Sequence, residues 1–155
     1  MADFSHLNEH CEGTMVDVSP KASTQRRATA EGYVMISSAC HSALTAEAIK
    51  EIITTARIAG ISAAKRTDEL IPYCHQIPLS YVGLSIILQD DGFHLTSETK
   101  TQSNTGVEME ALVALSIAAA TIYDMIKAKN PEAVLGPFRL KEKSGGKSHY
   151  RSSEH

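Results

Sequence analysis

No run of apolar residues in this sequence approaches the ~20 residues of a membrane span. The opening, MADFSHLNEHCEG, has neither a basic region followed by an apolar run nor the Arg-rich, acid-poor look of a transit peptide. A cytoplasmic location with no membrane partner is therefore expected. Cysteine is scarce and odd in number, at Cys11, Cys40 and Cys74. Without a secretion signal, reduced thiols are expected rather than disulfides. An excess of positive charge is missing too: the formal net charge is −3, which argues against a nucleic-acid partner, since such binding needs a basic surface to displace counterions. Cations that bind anything must be locally concentrated. Internal sequence repeats and low-complexity segments are also lacking.

What is present suits one domain spanning 1–155, long enough at 155 residues and 43% hydrophobic for a core of its own. Its centre is Thr105 to Lys127, where Leu112, Leu115, Ala119, Ile122 and Ile126 recur at intervals of three and four, the period of a buried helical face. Polar groups mark both ends. Glu110 and Asp124 are fourteen positions apart, so at ~1.5 Å rise per residue roughly 21 Å of helix separates them. One compact site in one subunit cannot use both; either an extended ligand spans them or a two-fold dimer brings the start of one helix near the end of its partner. Plainer roles stand beside these: Thr105 and Glu108 fit a capping box, and Asp124 with Lys127 fits a surface ion pair.

Around this helix the chain reads in order as a loose arm over 1–14, a short extended piece at Met15 to Val18, and a turn-prone loop over 19–31 carrying Lys21, Arg26 and Arg27. That loop is either solvated or in contact with an anion. A strand is expected at Gly32 to Ser38. Helix, in one piece or two, follows over Ala43 to Leu70, with Ile49, Ile52, Ile53, Ala56, Ile58, Ile61 and Ala64 apolar and Lys65 and Arg66 closing it, where the dipole favours cations. Two prolines bracket IPYCHQIP, so Cys74 and His75 lie on a constrained loop. Tyr81 to Leu88 and Phe93 to Lys100 alternate as strands about an Asp90-Asp91-Gly92 turn. A last strand, Ala133 to Lys143, is interrupted at Gly136-Pro137, with Phe138 and Leu140 on one face and Arg139, Lys141 and Lys143 on the other. A flexible arm over 144–155 ends the chain. This order is the α+β, ferredoxin-like βαββαβ pattern, an antiparallel sheet with helices packed on one face. The open face needs covering, which favours a homo-oligomer.

Several site motifs fail on inspection. Gly146-Lys147-Ser148 is no phosphate-binding loop, because the first glycine of that motif would fall on Lys141 and too little chain follows for a helix. Cys40-His41 and Cys74-His75 raise a zinc alternative, but adjacent ligands do not match the spacing of structural sites. A Cys-His nucleophile pair lacks an orienting acid. What remains is a set of cations, Arg26, Lys65, Lys127 and Lys143, with the acids Glu110 and Asp124. Such a set can hold a polyphosphate while Asp and Lys move protons. The residues themselves reach as far as a small anionic ligand and acid/base chemistry.

MVDVSPK (Met15 to Lys21), TARIAGISAAKRTDELIPYCH (Thr55 to His75), NTGVEMEAL (Asn104 to Leu112), TIYDMIK (Thr121 to Lys127) and KSGGKS (Lys143 to Ser148) closely resemble the MoaC family of cyclic pyranopterin monophosphate synthases in molybdenum-cofactor biosynthesis. The resemblance implies a ferredoxin-like subunit in a hexamer of three dimers, with active sites at the dimer interface. It implies conversion of 3′,8-cyclised dihydro-GTP, made by a radical-SAM GTP cyclase of the same pathway, to cyclic pyranopterin monophosphate with release of pyrophosphate. No cofactor or metal is implied, and whether a divalent ion accompanies the triphosphate stays open. The family's catalytic positions fall on Asp124, Lys127 and Lys65, and its substrate-binding positions on Tyr73, Cys74, His75, Met109 and Glu110, with Glu108 beside them. Arg26 and Lys143 match cations expected near the triphosphate. A further family lysine is matched by Lys50, one residue closer to TARIAG and followed by Glu51 instead of glycine. Gln76 stands where the family usually has proline, and Asn104 where it often has lysine. The alternative from another class is a non-catalytic ferredoxin-like nucleotide-binding regulatory module; retention of Asp124, Lys127 and Lys65 together argues against it.

Overall fold

A computed structural model describes residues 4–153. Five antiparallel strands form one sheet in the order β2-β3-β1-β4-β5: β1 is Thr24–Met35, β2 Leu79–Gln89, β3 Gly92–Ser103, β4 Val134–Ser144 and β5 Tyr150–Arg151. Helices α1 (Ser38–Ala43), α2 (Ala46–Ala64), α3 (Thr67–Leu70) and α4 (Glu108–Ile126) complete the chain. Apart from the added edge strand β5, this is the expected ferredoxin-like topology. Both long helices pack on one face, where Ala28, Ala30, Val34, Leu84, Ile86, Phe93 and Leu95 meet Ala111, Leu115, Ala118, Ala119 and Ile122.

The alternation of Phe93, Leu95, Ser97 and Thr99 places all four on that face, and its polar half fixes the helix start. Ser97 Oγ donates to the Ala111 carbonyl at 2.8 Å and Thr99 Oγ1 to the Val107 carbonyl at 2.9 Å. Gly60 sets the approach of α2 to α4: a Cβ there would lie 2.7 Å from the Ala114 carbonyl and 3.2 Å from Ala118 Cβ. The two helices run antiparallel, so the end of α2 lies beside the start of α4. By length and composition α4 is apolar enough to cross a membrane, unlike anything expected from the sequence, but half of that stretch is buried in the fold.

Several boundaries differ from expectation. β1 begins at Thr24, so Arg26 and Arg27 belong to a strand, not a loop; polar residues on its outer face hid the alternation. It ends at Met35, and Ser37 instead caps α1, its side chain accepting from the Cys40 amide. Of the two readings of Ala43 to Leu70, one helix or two, the structure has two, α2 being capped by Thr45 and ending before Lys65, with α3 separate. Ile58 is 62% exposed and contributes nothing to the core. Met15 to Val18 forms no strand. Of the two terminal arms, 1–3 and 154–155 lie outside the described residues; Leu7 bridges Gly13 in the first, and in the second β5 pairs with Glu142 and Lys143.

The open face of the sheet carries a network of ion pairs. Glu31, 3% exposed, accepts from Arg139 Nε at 2.6 Å and pairs with Lys141 Nζ at 3.0 Å. Arg27 Nε and Lys100 Nζ reach Glu98 at 2.9 and 2.8 Å, and these hydrogen bonds hold its carboxyl down at about 2.

Candidate active site

One end of the fold gathers the first residues of β1, the last of β3 and β4, the start of α4 and the Ile71 to Pro78 loop. Two adjoining cavities open there. The larger, about 760 Å³, is lined by the cations Lys21, Arg26, Arg27, Lys143 and Lys147 against the carboxylates of Asp17 and Glu108. The smaller, about 250 Å³, is lined by His6, Tyr73, Cys74, His75, Met109 and Glu110 among others. Lys21, Thr105, Gly106 and Glu108 border both.

Lys143 reaches this site because of a β-bulge. Thr29 pairs with Glu142 and Ala30 with Leu140, which leaves Lys141 without an opposite residue and sets Lys143 across from buried Ala28. Lys143 is thereby turned away from the face of Arg139 and Lys141, contrary to strict alternation, and its Nζ lies 3.0 Å from Glu108 Oε1. That pair also answers the capping-box expectation. Val107 is the N-cap, no side chain caps the helix, and Glu108 turns to Lys143 instead of reaching back.

Glu110 is a buried acid, 4% exposed. Burial, with the charges of Glu108 and Asp68 behind it, raises its carboxyl from the ordinary 4.5 to about 7. Burial also pushes the Cys74 thiol up, and Glu110, Asp68 and Glu108 push it further. A thiol so held is a hydrogen-bond donor, not a nucleophile. His75 Nε2 lies 2.8 Å from the Val16 carbonyl; a carbonyl only accepts, so Nε2 carries a hydrogen and donates it. Cys40 is buried in the core near the other end of α4, with Asn130 Oδ1 accepting from the Ser37 amide at 2.7 Å, so the two Cys-His pairs do not converge.

Asp124 and Lys127 sit at the opposite end of α4, Nζ to Oδ1 at 2.6 Å, with side chains 72% and 56% exposed. The hydrogen bond to Asp124 raises the Lys127 ammonium above its ordinary value. Lys50, near the start of antiparallel α2, belongs to this end as well. Lys65, at the C-cap of α2, belongs to the cavity end but lines neither cavity. One chain therefore brings together Arg26, Lys143, Glu108, Met109, Glu110, Tyr73, Cys74 and His75, and holds Asp124, Lys127 and Lys50 apart from them.

Asp17 and Lys147 line the cleft without having been singled out as site residues, and Lys21 had been given only as one of three cations on a loop either solvated or in contact with an anion. Their signal lay in MVDVSPK and KSGGKS, motifs that carried the resemblance while these members had no role. MVDVSPK and the first four residues of KSGGKS fall inside the segment that decides the family: residues 15–146 match the model of the MoaC family. The chain belongs to the MoaC family. Relatives named cyclic pyranopterin monophosphate synthase include a protein of Nitratidesulfovibrio vulgaris, 48% identical over 95% of this chain and 94% of the relative. Another, from Bordetella parapertussis, is 45% identical over 94% of this chain and 92% of its own. A third, from Geobacillus kaustophilus, is 42% identical over 97% and 98%. Of the positions that the resemblance implies for substrate, Arg26, Tyr73, Cys74, His75, Glu108, Met109, Glu110 and Lys143 line these two cavities and Lys50 does not.

Proposed function

We propose that this chain is a cyclic pyranopterin monophosphate synthase, converting 3′,8-cyclised dihydro-GTP to cyclic pyranopterin monophosphate and pyrophosphate in molybdenum-cofactor biosynthesis. The observation that carries this, in a chain of the MoaC family, is the pairing of a cavity walled by the cations Lys21, Arg26, Lys143 and Lys147 with a smaller one walled by Glu110, Cys74 and His75. Phosphates are held by charge-assisted hydrogen bonds from Lys and Arg. The smaller cavity falls below the ~300 Å³ of a pocket that takes a whole small molecule, and its acids suit the N–H edge of a nitrogen heterocycle.

In this scheme Arg26, Lys143, Lys21 and Lys147 hold the triphosphate, and Glu110, Cys74, His75 and Met109 hold the ring. Asp124, Lys127 and Lys65 relay protons while the purine five-membered ring is hydrolysed and the pterin closes. A ribose hydroxyl then attacks the α-phosphate; the new P–O bond closes the cyclic phosphate and the α–β bond breaks to release pyrophosphate, its charge met by the cations. Because Asp124 lies ~21 Å along α4 from Glu110, it and Lys127, with Lys50 nearby, enter the site from a second subunit. A two-fold dimer supplies that, within a hexamer of three dimers. The substrate comes from the radical-SAM GTP cyclase of the pathway, in the cytoplasm, and no redox cofactor takes part.

The test supplies enzymatically prepared cyclised dihydro-GTP to the purified protein and follows pyrophosphate together with the fluorescence of the oxidised pterin. Product from the wild type and none from Asp124→Asn supports the function and the site. Tight binding with no pyrophosphate would instead mean a nucleotide-binding module.

A further inference from the structure

Residues Phe4 to Val18 lie outside the sheet and the helices, yet they touch the ring-side cavity at successive points. They first fold on themselves: Asn8 Oδ1 accepts from the amides of His10 and Glu12, each at 2.9 Å, and the Thr14 amide donates to the His6 carbonyl at 2.9 Å. This turn delivers the His6 ring onto Tyr73, with centroids 5.8 Å apart and planes inclined by 19°. Gly13 lies against the same phenol so closely that a Cβ there would overlap its ring edge and hydroxyl. Further on, the Val16 carbonyl accepts from His75 and the Val18 carbonyl accepts from Asn104 Nδ2 at 3.0 Å.

Two of these contacts converge on one short loop. Tyr73 and His75 flank Cys74, whose amide donates to the Ile71 carbonyl at 3.0 Å, and the loop has no helix or strand of its own. Its shape is held by this turn from within and by the arm from outside. His6 Nδ1 lies 3.2 Å from the Thr14 carbonyl, which turns the ring's Nδ1 edge back into the arm and leaves its flat face for Tyr73.

We propose that His6 is a positioning residue of the ring-side cavity: stacked on Tyr73, it clamps the Tyr73-Cys74-His75 loop in the shape that receives a flat nitrogen heterocycle. The inference rests on the reading of that cavity as the ring subsite. Its physical basis is pre-organisation, since a loop ordered before the ligand arrives loses less freedom on binding. The effect is confined to the ring half, because His6 does not line the cationic cavity.

Three variants of the full chain separate the stack from its alternatives. Removing the stack in His6→Ala is expected to raise KM for cyclised dihydro-GTP by about three- to tenfold, with kcat and the affinity for inorganic tripolyphosphate unchanged. His6→Phe keeps a flat ring but loses the hydrogen bond to Thr14, and should restore KM to the wild-type value. His6→Leu keeps bulk without a flat π-face and should behave like the Ala variant. Hydrogen exchange of the Cys74 amide, which needs no turnover, should quicken in His6→Ala and return to the wild-type rate in His6→Phe. An unchanged KM and exchange rate in His6→Ala, or no rescue by Phe, would overturn the proposal. A wild type that neither turns over nor binds the substrate would remove the functional reading, and the exchange rates alone would then judge the clamp.

Discussion

Replacing Glu110 by Gln should change stability in a pH-dependent way. The carboxyl is raised by burial from 4.5 to about 7, so the folded protein binds a proton there more tightly than the unfolded chain does. For a folded value above the unfolded one, the contribution is fully present below pH 4.5 and is lost as pH rises through about 7. At ~1.36 kcal/mol per pH unit, the charged carboxylate costs about 3 kcal/mol at pH 8.5 relative to pH 4. Glu110→Gln removes the titration and keeps the shape. Its stability relative to the wild type should therefore rise by up to ~3 kcal/mol between those two pH values, a shift of about 1–3 M in the urea midpoint for a typical m-value. Urea unfolding of both proteins across that range is the assay. A difference that stays constant with pH would refute the reasoning, because it would mean that Glu110 titrates alike folded and unfolded.

Leu115, fully buried between α4 and the sheet, should lose ~2–5 kcal/mol on truncation to Ala, read as a lower denaturant midpoint. Lys143→Met should weaken tripolyphosphate binding and flatten its salt dependence in titration calorimetry, since one charge leaves the cationic cavity. For Glu31 burial pushes the carboxyl up, but the hydrogen bonds from Lys141 and Arg139 outweigh it and hold it below its ordinary value. Its stabilisation is therefore present above pH 4.5 and lost as pH falls through the lower folded value. Glu31→Gln should cost ~1–3 kcal/mol at pH 7 and progressively less in acid, as thermal unfolding at several pH values will show.

The parts of the fold that were legible are those where packing follows a period. Leu115, Ala119, Ile122 and Ile126 are all buried on α4, and the β2–β3 turn falls at Asp90 and Asp91, with Gly92 at φ +139° where a Cβ would overlap the Val34 carbonyl. The first half of β1 was not legible. Arg27, Thr29 and Glu31 occupy its outer face, where ion pairs across neighbouring strands take the place of apolar packing. Lys143 was placed on the wrong face because a bulge, a one-residue event, reverses alternation beyond it. Of the site, the motif-borne residues could be named from the sequence and the arm could not: the contacts of His6 with Tyr73 and of Val16 with His75 join distant segments through a stack and a backbone carbonyl, neither of which has a periodic signature.

The central claim is that groups at the two ends of α4 act together, each site drawing on two subunits. Mixing two inactive variants, Asp124→Asn and His75→Ala, tests it most directly, with subunit exchange confirmed by native mass spectrometry before pyrophosphate release is measured. If a two-fold dimer builds each site from both ends, half of the randomly mixed dimers pair unlike subunits and hold one intact site of two. Activity should then return to about a quarter of the wild-type rate. Full exchange with no recovery would contradict the account, because every group the reaction needs would then have to come from one chain.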